Sequence, residues 1–118
     1  MAQVNIAKYA KRVSADLEDA AIAIKLSLFK GIILDTRFDT GRLRGNWQTS
    51  TGQPVTSDTT REDKTGSQAI GEALGAITPD GVDYMTNNLP YAAVYEEQDA
   101  MIARNLVRVK NNILKAAK

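Results

Sequence analysis

The strongest constraint on this chain is a helical repeat of apolar residues running from residue 4 to residue 33. Ile6, Ala10, Val13, Leu17, Ala20, Ile24 and Leu28 follow in steps of three or four, which puts them on one helix face. Ala21, Ile22, Leu26, Phe29 and Ile33 widen that face toward the C-terminal half. The pattern predicts one long helix, amphipathic at its start and buried nearly all round at its end. Lys8, Lys11, Arg12, Asp16, Glu18 and Asp19 take the outer side of the first half and read as a solvated face. Gly31 predicts a bend or stop.

Phe38 to Gln48 reads as a capped turn feeding a strand. Asp39 has N-cap chemistry. With that cap, Phe38 and Leu43 take the N′ and N4 positions of a hydrophobic staple. Gly41 lies inside this turn, and Gly45-Asn46 ends it. Trp47 to Thr51 then alternates as a strand, with Trp47, Thr49 and Thr51 on one side. Trp47, the only tryptophan, reads as core rather than as a ligand platform.

Residues 52–66 hold one aliphatic side chain, Val55, among polar and charged residues. Such a stretch buries too little apolar surface to offset its ordering entropy. It is expected to be a flexible loop, or a hairpin arm that orders only against a neighbouring subunit. Thr65 and Gln68 have capping-box spacing, with Ser67 as a rival cap, ahead of a helix carrying Ile70, Ala73, Leu74 and Ile77 on one side. Pro79-Asp80-Gly81 is a turn and Val82 to Asn87 a strand, with Val82, Tyr84 and Thr86 on one face. The run Asn87-Asn88-Leu89-Pro90 starts another helix with Tyr91, Val94 and Tyr95 as its packed side. Asp99 then caps a C-terminal helix striped by Ile102, Leu106, Val109 and Ile113.

The whole predicts a single α+β domain over residues 1–118: a small, mostly antiparallel sheet of three or four strands, packed by long N-terminal and C-terminal helices. A chain of 118 residues suits one domain, and 43% hydrophobic content permits a modest core that burial in an oligomer would help.

Chemistry is sparse. There is no Cys and no His, which removes thiolate sites, the commonest general base and the commonest metal ligand. No catalytic, cofactor-binding or metal-binding residue is assigned, no cofactor is expected, and the chain is not expected to be an enzyme. The acidic pairs Asp16/Asp19, Glu62/Asp63 and Glu96/Glu97 are sequence neighbours rather than carboxylates converging in a cleft. Asp39-Thr40-Gly41 echoes aspartic proteases, but basic residues and a helical turn follow it, so that reading fails. No apolar run nears the length that spans a bilayer. The first residues lack a charged region followed by an apolar block, so neither a signal peptide nor a membrane partner is expected. A formal charge of +1 argues against a dedicated nucleic-acid binder.

The candidate interface residues are Arg42, Arg44, Tyr91, Tyr95, Glu96, Glu97, Arg104 and Arg108. Arg42 and Arg44 are either solvated or paired with Asp35 or Asp39; alternatively they reach across a subunit contact or to DNA phosphate. Tyr91 and Tyr95 read as helix-face core or as interface. Phe38, Asp39, Gly41, Leu43, Trp47, Asn87 and Pro90 form the structural motif.

The run Asp39-Thr40-Gly41-Arg42-Leu43-Arg44 with Trp47 follows a long helix. The run Asn87-Asn88-Leu89-Pro90-Tyr91-Ala92 with Glu96 precedes another. In this order the two resemble the tail-completion proteins of tailed bacteriophages, the head–tail joining or minor tail components of the neck. The resemblance covers roughly residues 24–109. The chain departs from it at Arg37-Phe38, where the family often has Pro-Val, and at Glu97-Gln98, where Gly often follows the Glu. It implies a virion structural protein, made in the host cytoplasm and placed at the neck or tail top. There it would form a homo-oligomeric ring, a hexamer or alternatively twelve copies. Its partners would be head-side connector or adaptor proteins, the tail tube or tail terminator proteins, and DNA passing transiently through the channel. Residues 80–98 carry four acids and no base, while residues 99–118 carry five bases and one acid. In a ring, the acidic segment of one copy could meet the basic helix of the next. The alternative is a small nucleic-acid-binding module that uses the basic C-terminal helix.

Overall fold

The computed structural model describes residues 5–116. The expected helix start at residue 4, the N-terminal segment before it and Lys118 of the basic C-terminal stretch lie outside them. Five helices and two strands follow in the order α1 (Ile6–Asp35), α2 (Arg42–Gly45), β1 (Trp47–Thr51), α3 (Ser67–Ala76), β2 (Asp83–Asn87), α4 (Ala92–Asp99) and α5 (Met101–Ala116). The architecture is α+β, with long helices at both ends and a small antiparallel sheet. The sheet has two strands rather than three or four, in register Trp47↔Asn87 through Thr51↔Asp83.

At 1.5 Å per residue α1 is roughly 45 Å long, which accounts for the elongated outline of 66 × 28 × 22 Å. Asn5 caps it by accepting from the Lys8 N–H at 3.0 Å. Gly31 does not stop it, because the helix continues to Asp35. Its missing side chain serves packing instead: a Cβ there would overlap Asn105 Oδ1 and crowd the Arg108 guanidinium. Only the C-terminal half of α1 enters the core, through Phe29, Ile32 and Ile33. Even there Leu34 stays 44% exposed, so the helix is not buried all round. In the first half Ile6, Val13 and Leu17 are exposed, because none of the described elements covers them.

The main core joins Ile32, Ile33, Trp47, Ala69 and Met101, with Leu28, Ile70, Met85, Tyr95 and Ile102 packed around it. Trp47 is 3% exposed, as its reading as core requires. Its indole N–H donates to Thr36 Oγ at 2.8 Å, and that hydroxyl donates to the Ile32 carbonyl at 2.7 Å. The one polar atom of the tryptophan is thereby satisfied in a dry interior.

Several expected details shift by a residue or two, each for a polar reason. α3 starts after Gly66, in the left-handed region at φ 78°, so neither Thr65 nor Ser67 is its cap. The Asp63 carboxylate does that work by accepting from the Ala69 N–H at 2.9 Å. α3 buries Ala69 and Ala73 and leaves Leu74 exposed. Pro90 and Tyr91 form a turn ahead of α4 rather than its first residues. Of the expected packed side Tyr95 does pack, against the buried Leu89 and Ala92, while Tyr91 and Val94 are exposed. Val82 precedes β2 and is exposed. On α5 the buried residues are Met101, Asn105 and Val109; of the expected stripe Leu106 faces outward, and Ile113 lies half-exposed at the open end of the seam with α1.

Residues 52–66 contain no helix or strand. Where composition predicts a free arm, they are tied to their own chain. Arg61 donates to the Gly45 carbonyl at 2.7 Å and the Trp47 carbonyl at 2.8 Å, and pairs with Glu72. The Thr59 N–H donates to Asn46 Oδ1, and Asn88 donates to the Val55 carbonyl. The apolar bookkeeping missed this because the anchors are polar.

At the far end of the sheet, Lys25 on α1 donates to the carbonyls of Thr78 and Gly81 and pairs with Asp83 at 2.7 Å. Burial pushes the Asp83 carboxyl up. Hydrogen bonds from Lys25, Thr78 and Thr51 outweigh that and hold it below the usual carboxylate range. A depressed carboxylate stabilises the fold above its unfolded pKa, near 4, and loses that contribution as pH falls through the folded value.

Two outcomes follow. Thr36→Val should lose about 1–3 kcal/mol in urea unfolding, because the Trp47 indole is left without an acceptor; Trp47→Ala should lose about 3–5 kcal/mol. The stability gap between the wild type and Asp83→Asn should be widest above about pH 4 and close as the pH is lowered below it. Denaturant titrations over a pH series measure both.

Candidate functional site

The two sequence motifs pack against each other. α2 is a single turn entered through Gly41, at φ 84°. A side chain there would be strained, and its Cβ would meet the Lys64 and Asp63 backbone nitrogens at 2.6 and 2.7 Å. Gly41 is therefore the cap position, and its carbonyl accepts from the N–H groups of Gly45 and Asp63, both at 2.8 Å. Asp39 is not the cap, and the expected staple is absent. Phe38 instead lies 58% exposed beneath the Arg44 guanidinium, 4.8 Å from its ring centre.

From the second motif, Asn87 donates to the Leu43 carbonyl at 2.8 Å and accepts from the Leu89 N–H. Leu43, Leu89 and Ala92 form a second buried cluster, with Tyr95 against it. Tyr91 and Tyr95 meet edge to face, ring centres 5.8 Å apart. The Arg37 guanidinium lies 4.6 Å over the Tyr95 ring and forms a two-pronged pair with Asp99 at 2.6 and 2.8 Å. The hydrogen bond from Arg37 holds Asp99 below the usual carboxylate range, and the same bond raises the arginine. Asp99 is thus a tie between α4 and the α1–α2 link, not the cap of α5. Arg37, Asp39, Thr40, Gly41, Leu43, Tyr91 and Tyr95 together line an open cleft of about 250 Å³.

A second opening, of about 390 Å³, lies between β2, α4 and the start of α5, with Trp47 and Met101 in its lining. The second is walled largely by apolar side chains, whereas the first sets Leu43, Tyr91 and Tyr95 beside Arg37, Asp39 and Thr40.

The expected interface residues divide by what they touch. Arg44 is 7% exposed rather than solvated, and it pairs with neither Asp35 nor Asp39. It donates to the carbonyls of Leu34 and Thr36, both at 2.8 Å, and so closes the C-terminus of α1. Burial lowers its pKa, with Asp63 and Asp35 acting in the other direction. Glu96 accepts from the N–H groups of Ile102 at 2.8 Å and Ala103 at 3.3 Å, and so caps α5. Arg108 donates to Ser27 Oγ and to the Ser27 carbonyl, and clamps α5 on α1. The groups left toward solvent are Arg42, 3.6 Å from Asp58, with Tyr91, Glu97 and Arg104, the last at 4.0 Å from Asp35. Asp83, Glu96, Asp99 and Arg108 thus find partners within the subunit, which reduces the charge left for the segment-to-segment contact between copies. Sequence reasoning missed Arg37, which pairs with Asp99, and Arg61, which bonds Glu72 and the carbonyls of Gly45 and Trp47; none of these partners is a sequence neighbour, so no local spacing marks either arginine.

Among the described residues no cluster of His, Cys, Asp or Glu could hold a metal ion, and no helix is long and apolar enough to cross a membrane. Comparisons with protein-family models, curated proteins and solved structures found no match.

Buried and exposed members of the cleft should separate cleanly. Leu43→Ala should cost about 2–5 kcal/mol. Tyr91→Ala should cost no more than about 1.5 kcal/mol, the scale of a lost edge-to-face pair on the surface. Thermal melts followed by Trp47 fluorescence test the contrast.

Proposed function

We propose that this protein is a structural subunit of the phage neck, a tail-completion component. It forms a homo-oligomeric ring that joins the DNA-filled head to the tail tube. Six copies are favoured and twelve are the alternative. Its work is binding rather than catalysis, and the ring's channel passes DNA without holding it.

The observation that carries this reading is the composite cleft. The two stretches that resemble the family lie 44 residues apart at Leu43 and Asn87, yet a hydrogen bond and a shared apolar cluster join them. Their buried members build a rigid floor. Of their outer members, Tyr91 on the cleft and Phe38 beneath Arg44 stay exposed. Exposed aromatics on a rigid base are the side chains that interfaces favour, since they add contact area at low entropic cost. In this reading the adjacent copy covers the cleft, and the head-side and tail-side proteins dock on the two faces of the ring. The near-neutral chain suits a channel, because many phosphate contacts would bind DNA tightly and salt-dependently.

The second reading, a nucleic-acid module, draws on Arg104, Lys110 and Lys115, which are exposed on α5. Electron microscopy of concentrated protein should show closed rings of countable symmetry. Tyr91→Ala should prevent closure while leaving the melting transition nearly in place. Absence of rings, together with DNA affinity that falls linearly with the logarithm of salt, would overturn the neck reading in favour of the second.

A further inference from the structure

We infer that the projecting N-terminal half of α1 is a self-pairing arm, whose partner is the same arm of a second copy running antiparallel to it. The inference rests on the arm alone and does not depend on the ring reading.

α5 runs antiparallel to α1 and covers only the C-terminal part of its apolar stripe. Asn105 bonds Asp35, Arg108 bonds Ser27, and Ile113 lies beside Ile24. Beyond that point the stripe continues uncovered through Ala20, Leu17, Val13, Ala10 and Ile6, all exposed. From Ile24 to Ile6 it spans roughly 27 Å. Its spacing alternates four and three, the heptad that helix pairs use.

Charge selects both the occupant and its direction. Lys8, Lys11 and Arg12 occupy one end of the arm, and Asp16, Glu18 and Asp19 the other. A parallel pair would set like beside like. An antiparallel pair sets the basic end of each arm beside the acidic end of the other, and it also opposes the helix dipoles. With Val13 facing Leu17 of the second copy, Ala10 faces Ala20 and Ile6 faces Ile24. The first turn of each arm then arrives at the apolar groove of about 240 Å³ lined by Ile24, Val109 and Ile113, where α5 leaves off. The second helix continues the lane that α5 begins. Such a pair is two-fold symmetric, so it is a form of the free subunit, distinct from a polar ring in which neighbours are related by rotation about one axis.

The full chain should sediment as a dimer at roughly 100 µM and dissociate on dilution. Leu17→Asp, at a position already 66% exposed in the subunit, should weaken pairing roughly tenfold or more without changing the Trp47 fluorescence melt. Because the chain has no Cys, single spin labels can be placed at Lys8→Cys or Ser14→Cys. Antiparallel arms put the two copies of position 8 roughly 20 Å apart along the axis, while position 14 meets its own copy near the two-fold. A monomer at that concentration, a dimer indifferent to Leu17→Asp, or equally short distances at both positions would overturn the inference. Rings that survive Leu17→Asp would leave the neck reading standing while the dimer is lost, so the two fail separately.

Discussion

Everything in the body of this protein is arranged around Thr36. Its hydroxyl accepts the Trp47 indole N–H and donates to Ile32, and its carbonyl accepts the Arg44 guanidinium at 2.8 Å. The Met101 sulfur lies 3.3 Å from the same hydroxyl. One 1%-exposed residue thus gathers the end of α1, the α2 turn, the first strand residue and the start of α5. The constraint is electrostatic as much as apolar. An indole N–H, a hydroxyl and a guanidinium are all brought out of water, and each is tolerable only because the others and the helix carbonyls complete its bonds.

The same economy runs through the rest of the body. Lys25 and Asp83 fasten the far end of the sheet to α1, Arg61 and Asp63 fasten the long connection, and Arg37 and Asp99 fasten α4. In a chain this size the apolar core is small. Hydrogen bonds from side chains to backbone carbonyls and amides fix what the core does not reach.

The body and the arm follow different rules. The body is closed by polar ties and carries its aromatic cleft on a rigid floor. The arm has a helical backbone and a cap at Asn5, but its apolar stripe is exposed and left uncovered by the other described residues. An isolated helix of that length draws most of its stability from packing of its apolar face rather than from propensity.

The sequence by itself determined the elements. Periodicity placed α1 and α5, alternation placed Trp47–Thr51, and the burial of Trp47 followed from its setting, because local spacing reports which face a residue takes. The tertiary structure decided which polar groups meet. Asp39 yielded its cap to Gly41, Asp99 left α5 to Glu96, and Arg44 went inward to the end of α1. A capping side chain and a pairing side chain have the same composition signature, and only the fold says which partner is within 3 Å. The stripe on α1 was equally legible as apolar, yet its two halves have opposite fates. Among the described residues α5 covers one and not the other, and that depends on where a helix 70 residues away comes to lie.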